Sequence, residues 1–372
     1  MRKERVLGFW VLVLCGVLGW AQRQTERPYW FSLERGKVLF RKGDYGNALL
    51  AFEDARRDRR TMYTRMERDL IDLLSIHEVR LLGDSLERIE PYIAERYHVN
   101  AAAALRELYF RVPRSSLEGS ATKALEALGR LKYYPEAEYW IGESYRVEGE
   151  LGVALGQYQK AHEQRAFLEN PRFDITILYK IIDILTIRQD YPEMEKRLLE
   201  ILEQDTLWSG EVSGTTKSAM TKVLENDGIS RFLTIYRYNY TTVERAHRLL
   251  GLYYYASGRH NRATEHLMFS FLIQNTIVIE EVIRNQYDFT FTTLENLLSQ
   301  AMKRPVLGDY MDDAEYFKTL YYLGAALYAD GKVIPARRFW IFLSGCADAG
   351  EWRGRANLQL RSPFVEQAVK MP

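Results

Sequence analysis

An all-α fold, a solenoid of stacked antiparallel helical hairpins, is what this sequence predicts, and three observations predict it. Apolar residues recur at intervals of three and four, the period of a helix with one buried face. Runs of roughly 12 to 16 residues are separated by short breaks holding Gly, Asp, Asn or Pro, and breaks that short force neighbouring helices antiparallel. One spaced pattern of small residues then returns four times. No β-pattern of useful length competes with this. Strict alternation is confined to stretches such as Asp288 to Thr293, and Tyr236 to Tyr240 reads equally well as a helix end.

In chain order, the first element is one to set aside. Arg2, Lys3 and Arg5 precede an uninterrupted apolar run from Val6 to Ala21, with the small residues Gly19 and Ala21 where a signal peptidase reads. Residues 1–21 therefore read as a signal peptide, which implies export to a periplasm or an envelope membrane. The run has 16 residues, whereas a membrane span needs about 20. Two other readings stay open: an uncleaved anchor, and lipidation at Cys15, since Leu12-Val13-Leu14-Cys15 loosely resembles a lipobox. Cleavage leaves 48 basic and 49 acidic residues and a single cysteine, Cys346, which reads as a small buried apolar residue.

Beyond it, residues 22–372 carry the recurring pattern. The breaks Lys42-Gly43-Asp44, Glu148-Gly149-Glu150, Ser257-Gly258-Arg259 and Asp330-Gly331-Lys332 share one frame, with a glycine seven residues upstream and an alanine five downstream. The sets are Gly36, Gly43 and Ala48; Gly142, Gly149 and Ala154; Gly251, Gly258 and Ala263; Gly324, Gly331 and Ala336. Leu39, Tyr145, Tyr254 and Leu327 fall three after the first glycine, and Phe52, Tyr158, Leu267 and Trp340 four after the alanine. Small residues let two helix axes approach, the middle glycine permits the turn, and the large residues fill the groove. One hairpin cannot bury its apolar face alone, so neighbours must stack.

Trp140-Ile141-Gly142-Glu143-Ser144-Tyr145, with Gly149, Ala154, Tyr158 and Ala161, resembles the tetratricopeptide repeat, and Gly36, Gly43-Asp44-Tyr45, Ala48, Phe52 and Ala55 match nearly as well. Leu250-Gly251 with Tyr254, Gly258 and Ala263, and Leu323-Gly324 with Gly331, Ala336 and Trp340, supply two more units. Ser270 and Leu343 depart from the pattern, and the terminal proline is generally missing. The clear units span about 29–58, 135–168, 244–275 and 317–346, with degenerate hairpins between. Gln189-Asp190-Tyr191 and Leu82-Gly83-Asp84 read as degenerate turns, while 208–240 and 276–304 carry little pattern and could be insertions.

The resemblance implies a right-handed superhelix whose first helices line a concave, partner-binding face. Carried over position by position, that face comprises Trp30, Lys37 and Arg41; Tyr139, Glu143 and Arg146; Arg245, Arg248 and Tyr255; and Lys318, Tyr321 and Tyr328. Tyrosine, tryptophan and arginine dominate protein-interface hot spots.

Chemistry is hard to find. His77-Glu78 and His162-Glu163 begin like a zinc-protease motif without a second histidine four residues on, and His260 and His266 fall on different helix faces. No nucleophile elbow, phosphate loop or dinucleotide fingerprint occurs. The acidic pairs Glu280-Glu281 and Asp312-Asp313 are expected at helix starts, where they meet the positive end of the helix dipole. A formal charge of +1 gives no footprint for nucleic acid. The expectation is a non-enzymatic interaction scaffold of the bacterial cell envelope, binding a protein or peptide, with no cofactor or metal. Self-association and an N-terminal membrane tether stay open. The alternative is a periplasmic ligand-binding or transport-accessory protein that uses the aromatic stretches Tyr236 to Tyr240 and Tyr287 to Phe291.

Overall fold

Among the described residues, five of the short breaks between one helix and the next share a single three-residue turn. The computed structural model describes residues 28–76, 132–205, 208, 213–367 and 369. The leader at 1–21 and the turn expected at Leu82-Gly83-Asp84 lie outside them. Gly43, Gly149, Gly258 and Gly331 occupy the left-handed region at φ of 80°, 85°, 75° and 80°, which a side chain would strain. The N–H of Gly149 reaches the Arg146 carbonyl at 3.2 Å and that of Glu150 reaches Tyr145 at 2.9 Å. Asp44 to Leu39, Arg259 to Tyr254 and Lys332 to Leu327 repeat the second bond. This pairing satisfies carbonyls that a helix end leaves orphaned, the Schellman arrangement. Gln189 makes the fifth turn at φ 58°, with the Asp190 N–H on the Leu185 carbonyl at 2.9 Å. The Asp190 side chain caps the following helix at the Glu193 N–H.

The described residues contain fifteen α-helices and no strand. They are α1 (Tyr29–Arg41), α2 (Tyr45–Ile76), α3 (Pro135–Val147), α4 (Leu151–Glu163), α5 (Phe173–Ile187) and α6 (Tyr191–Glu203). There follow α7 (Ser213–Asn226), α8 (Ile229–Ile235), α9 (Glu244–Ala256), α10 (His260–Asn285) and α11 (Leu294–Ala301). The last are α12 (Pro305–Asp313), α13 (Tyr316–Ala329), α14 (Val333–Gly345) and α15 (Glu351–Arg361). Two compact units divide between Lys180 and Ile181.

In the first unit α1 packs on α2, α2 on α3, and α3 on α4. A β-carbon at Gly142 would come within 2.7 Å of Tyr158, so only glycine admits that ring, and Gly36 stands in the same relation to Phe52. Ala48 and Ala154 are fully buried beside these contacts. Trp140 joins α2 to α3, with its ring 5.6 Å from Phe52 and 5.4 Å from Phe40. The buried Arg59 guanidinium lies 4.3 Å over the Tyr134 ring and 5.1 Å over Tyr29. Helix α2 runs to Ile76, well past the expected end near 58, because no glycine or proline interrupts residues 47–76.

In the second unit α9 and α10 form one hairpin and α13 and α14 another, with α10 against α13 and α15 against α14. Gly251 receives Leu267, and Gly324 receives Trp340 and Phe339. Ala263 and Ala336 are fully buried. Burying side chains such as Trp340, Phe271 and Leu267 stabilises by roughly 1.5–3 kcal/mol each. Helix α10 overruns the expected limit at 275 by ten residues. It is long and apolar enough to cross a membrane by length and composition, and most of that stretch is buried within this unit. Within the weakly patterned 208–240, residues 213–226 form α7, residues 229–235 form the seven-residue α8, and 236–240 is non-helical. Asp288 to Thr293 is loop, not strand. Both acidic pairs correct the expectation of helix starts: Glu280-Glu281 lies near the end of α10 and Asp312-Asp313 closes α12.

Candidate functional site

The first helices of the hairpins decide where the twelve expected contact residues stand. In the first unit Trp30 is 53% exposed, Arg41 is exposed, and Lys37 donates to Glu34 at 2.7 Å. Tyr139 is buried instead, because Phe173 packs edge-on against it at 4.8 Å. Glu143 is buried too and accepts from Tyr158 at 2.5 Å and Arg146 at 2.9 Å, with Lys180 at 3.1 Å. Burial alone would raise its carboxyl, but the bonds from Arg146 and Tyr158 hold it below the usual range. These residues close a helix contact.

In the second unit Arg245 donates to Asp183 and stays half-exposed. Arg248 and Lys318 are buried, correcting their expected exposure, because Glu315 reaches both, Lys318 at 2.8 Å. Glu315 itself is held in the left-handed region at φ 47°. Behind them Glu244 accepts from Ser270 at 2.8 Å and Gln274 at 2.7 Å, which fastens α9 to α10. A buried charge needs such partners to be tolerated.

Tyr255 and Tyr321 are also buried, and the element covering them is the chain's own segment after α15. The Tyr255 hydroxyl accepts from the Glu366 N–H at 3.0 Å, and the half-exposed Tyr328 donates to the Pro363 carbonyl at 3.4 Å. Gln359 clasps Phe364 from both sides: its Oε1 accepts from the N–H at 2.9 Å and its Nε2 donates to the carbonyl at 3.1 Å. The Glu366 carboxylate takes the Tyr321 hydroxyl, the Tyr322 hydroxyl at 3.2 Å and the Arg355 guanidinium at 3.4 Å. Burial pushes the Tyr255 and Tyr322 phenols up to about 12, so both are neutral donors and acceptors near neutrality. The side chains of Phe364 and Val365 remain 48% and 44% exposed. What is gripped here is main chain and one carboxylate.

Sequence reading placed Tyr255, Tyr321 and Tyr328 on one surface and missed Tyr322, which lies within the last clear unit, and Arg355, Gln359 and Glu366, which lie beyond it. It also missed a buried histidine pair, His247 and His266, whose Nδ1 atoms lie 3.1 Å apart. The hairpin frame could have found it, since these residues face each other beside Gly251 and Ala263. Among the described residues no group of three His, Cys, Asp or Glu converges to hold a metal ion. Cys346, expected as a small buried apolar residue, is half-buried, and burial pushes its thiol up. It lines a cavity of about 710 Å³ with Leu294, Leu298 and Phe342. Neither Tyr236 to Tyr240 nor Tyr287 to Phe291 contributes to that cavity.

The class of protein is thus defined: an all-α chain of antiparallel helix pairs, ending repeatedly on the same turn. No protein-family model matches it. It is similar to an uncharacterized protein of Treponema pallidum (strain Nichols), 24% identical over 333 residues that cover 89% of each chain. It is also similar to an uncharacterized protein of Borreliella burgdorferi, 20% identical over 235 residues, or 58% of this chain and 72% of that one.

Proposed function

We propose that this chain is a non-enzymatic interaction scaffold of the bacterial cell envelope. It is exported by residues 1–21 and built as a tetratricopeptide-like superhelical solenoid. The first helices of its hairpins bind a partner protein or peptide. One observation carries the reading: on α9 and α13, side chains of the recognition helices already grip the main chain of a non-helical segment, at Pro363 and Glu366. Peptide recognition by a folded surface works through such main-chain bonds, with specificity left to a few side-chain positions.

A photo-crosslinking residue placed in cells at Trp30, Lys37 or Arg41 of α1 tests it against one at Leu50 or Arg57 of α2. One defined adduct from the α1 positions and none from α2 is the expected result. The same adducts from both helices, or none from either, would remove the scaffold reading. Export is checked separately by mass spectrometry of the mature N-terminus, expected at Gln22. Recovery of the chain in the cytosolic fraction with residues 1–21 attached would overturn it.

A further inference from the structure

The segment Pro363–Glu366 is bound as a ligand would be. Three side chains from three helices, Tyr255 on α9, Tyr328 on α13 and Gln359 on α15, satisfy four of its main-chain groups. Main-chain bonds of this kind accept many sequences, so the selective position is Glu366, held by Tyr321, Tyr322 and Arg355. The apolar side chains Phe364 and Val365 contribute little, since each keeps nearly half its surface in water. A segment fastened by polar bonds, with few buried apolar atoms, opens locally far more easily than the helices beneath it.

We propose that Pro363–Glu366 is a resident occupant of a peptide-docking surface, and that the partner it holds off is an acidic peptide placing a Glu or Asp carboxylate between Tyr321, Tyr322 and Arg355. This rests on the scaffold reading and names the partner's chemistry. Binding then requires exchange: the incoming carboxylate takes the two phenol donors and the guanidinium, and Glu366 leaves to water. The surface is competent only in the fraction of molecules whose own segment is released, and the apparent affinity is reduced by that fraction.

The test uses the full chain and a fluorescent peptide of the sequence Arg361 to Gln367, followed by anisotropy. Two variants release the segment without touching the surface. Glu366→Gln removes the resident carboxylate, and Pro363→Gly loosens the chain leading into it. Thermal melts establish that both stay folded. Each is expected to bind the peptide at least ~10-fold more tightly than the unaltered chain. A peptide with Gln at the acidic position should lose that gain, as should Tyr321→Phe with Tyr322→Phe added to Pro363→Gly. Equal binding by variants and unaltered chain, or equal binding of the acidic and Gln peptides, overturns the proposal. So does a peptide-sensitive dimer in size-exclusion chromatography, which would assign the surface to a second copy's segment. If peptide binding fails while crosslinks from Trp30, Lys37 and Arg41 persist, the occlusion falls and the scaffold stands. If the peptide binds and those crosslinks are absent, the reverse holds.

Discussion

Gly142 meets a ring that cannot retreat, because the Tyr158 hydroxyl is fixed on Glu143 at 2.5 Å. A methyl at 142 would stand 2.7 Å from that ring, so Gly142→Ala should destabilise by about 1–3 kcal/mol through overpacking. Two residues before Tyr158, Gly156 lies in the same hairpin with nothing within 4 Å of an added β-carbon. There Gly156→Ala should stabilise by about 0.5–1 kcal/mol, the helix gain of alanine over glycine. Denaturant melts of the two variants decide it, and an inverted order would mean that α3 and α4 pack in another register. This contact was legible in the sequence because a small residue and a large one, sixteen apart, define each other across one hairpin. The exposure of Tyr139 and Glu143 was not legible, because Phe173 and Lys180 of the next hairpin cover them. Frame positions report what a residue faces within its own helix pair and are silent about what the neighbour brings.

A turn can keep its hydrogen bonds and lose its glycine. Gln189 holds φ 58° where the other four turns have glycine, and its bonds to Thr186 and from Asp190 to Leu185 match theirs. A β-carbon in that region costs about 1–2 kcal/mol, offset in part by the greater freedom glycine has when unfolded. Gln189→Gly should therefore stabilise the protein by about 0.5–1 kcal/mol, and Gly149→Gln should destabilise it by a similar amount. Matched thermal melts check both, and no difference in either direction would show that the turn relaxes out of the left-handed region. Aspartate followed by an apolar helix made this turn readable without its glycine. Helix ends were harder. From His260 to Asn285 no glycine or proline occurs, so α10 continues as long as α9, α13 and α7 offer apolar surface to bury it. Repeat spacing marks where a helix pair begins better than where its second helix stops, and the same holds for α2. The segment gripped by Gln359 lies beyond the last repeat, where no spacing applies.

At the scale of the whole molecule, the second unit carries a liability of its own: two imidazoles sealed in its core. His247 has no exposed surface and His266 is 3% exposed, between Trp208 at 4.7 and 4.6 Å and Phe269 beside His247 at 5.1 Å. Burial, and then the charge of Lys217 and Arg262, pushes His266 down to about 3. Burial and its neighbour hold His247 well below the ordinary 6.5. Both are neutral in the folded protein, where one imidazole donates to the other. An unfolded chain takes up these protons once the pH falls below about 6.5, and the folded one does not until far lower. The unfolded state therefore binds more protons, and stability falls as the pH falls from 6.5 towards 3. Each group contributes a slope of up to ~1.4 kcal/mol per pH unit. Glu143 and Glu195, both held below 4.5 by hydrogen-bonded arginines against the opposing effect of burial, begin to add their losses only below that. Denaturant titrations between pH 7 and 5, compared between the unaltered chain and a His266 variant, follow the contribution of the pair. The unaltered chain should lose stability across that range with the slope of two groups, and His266→Gln with roughly half of it. Hydrogen exchange should locate the loosening in α9 and α10, while α3 and α4 keep their protection. Parallel losses in the two chains, or exchange that rises first in α3 and α4, would mean that these histidines are not the neutral, enclosed pair their packing requires.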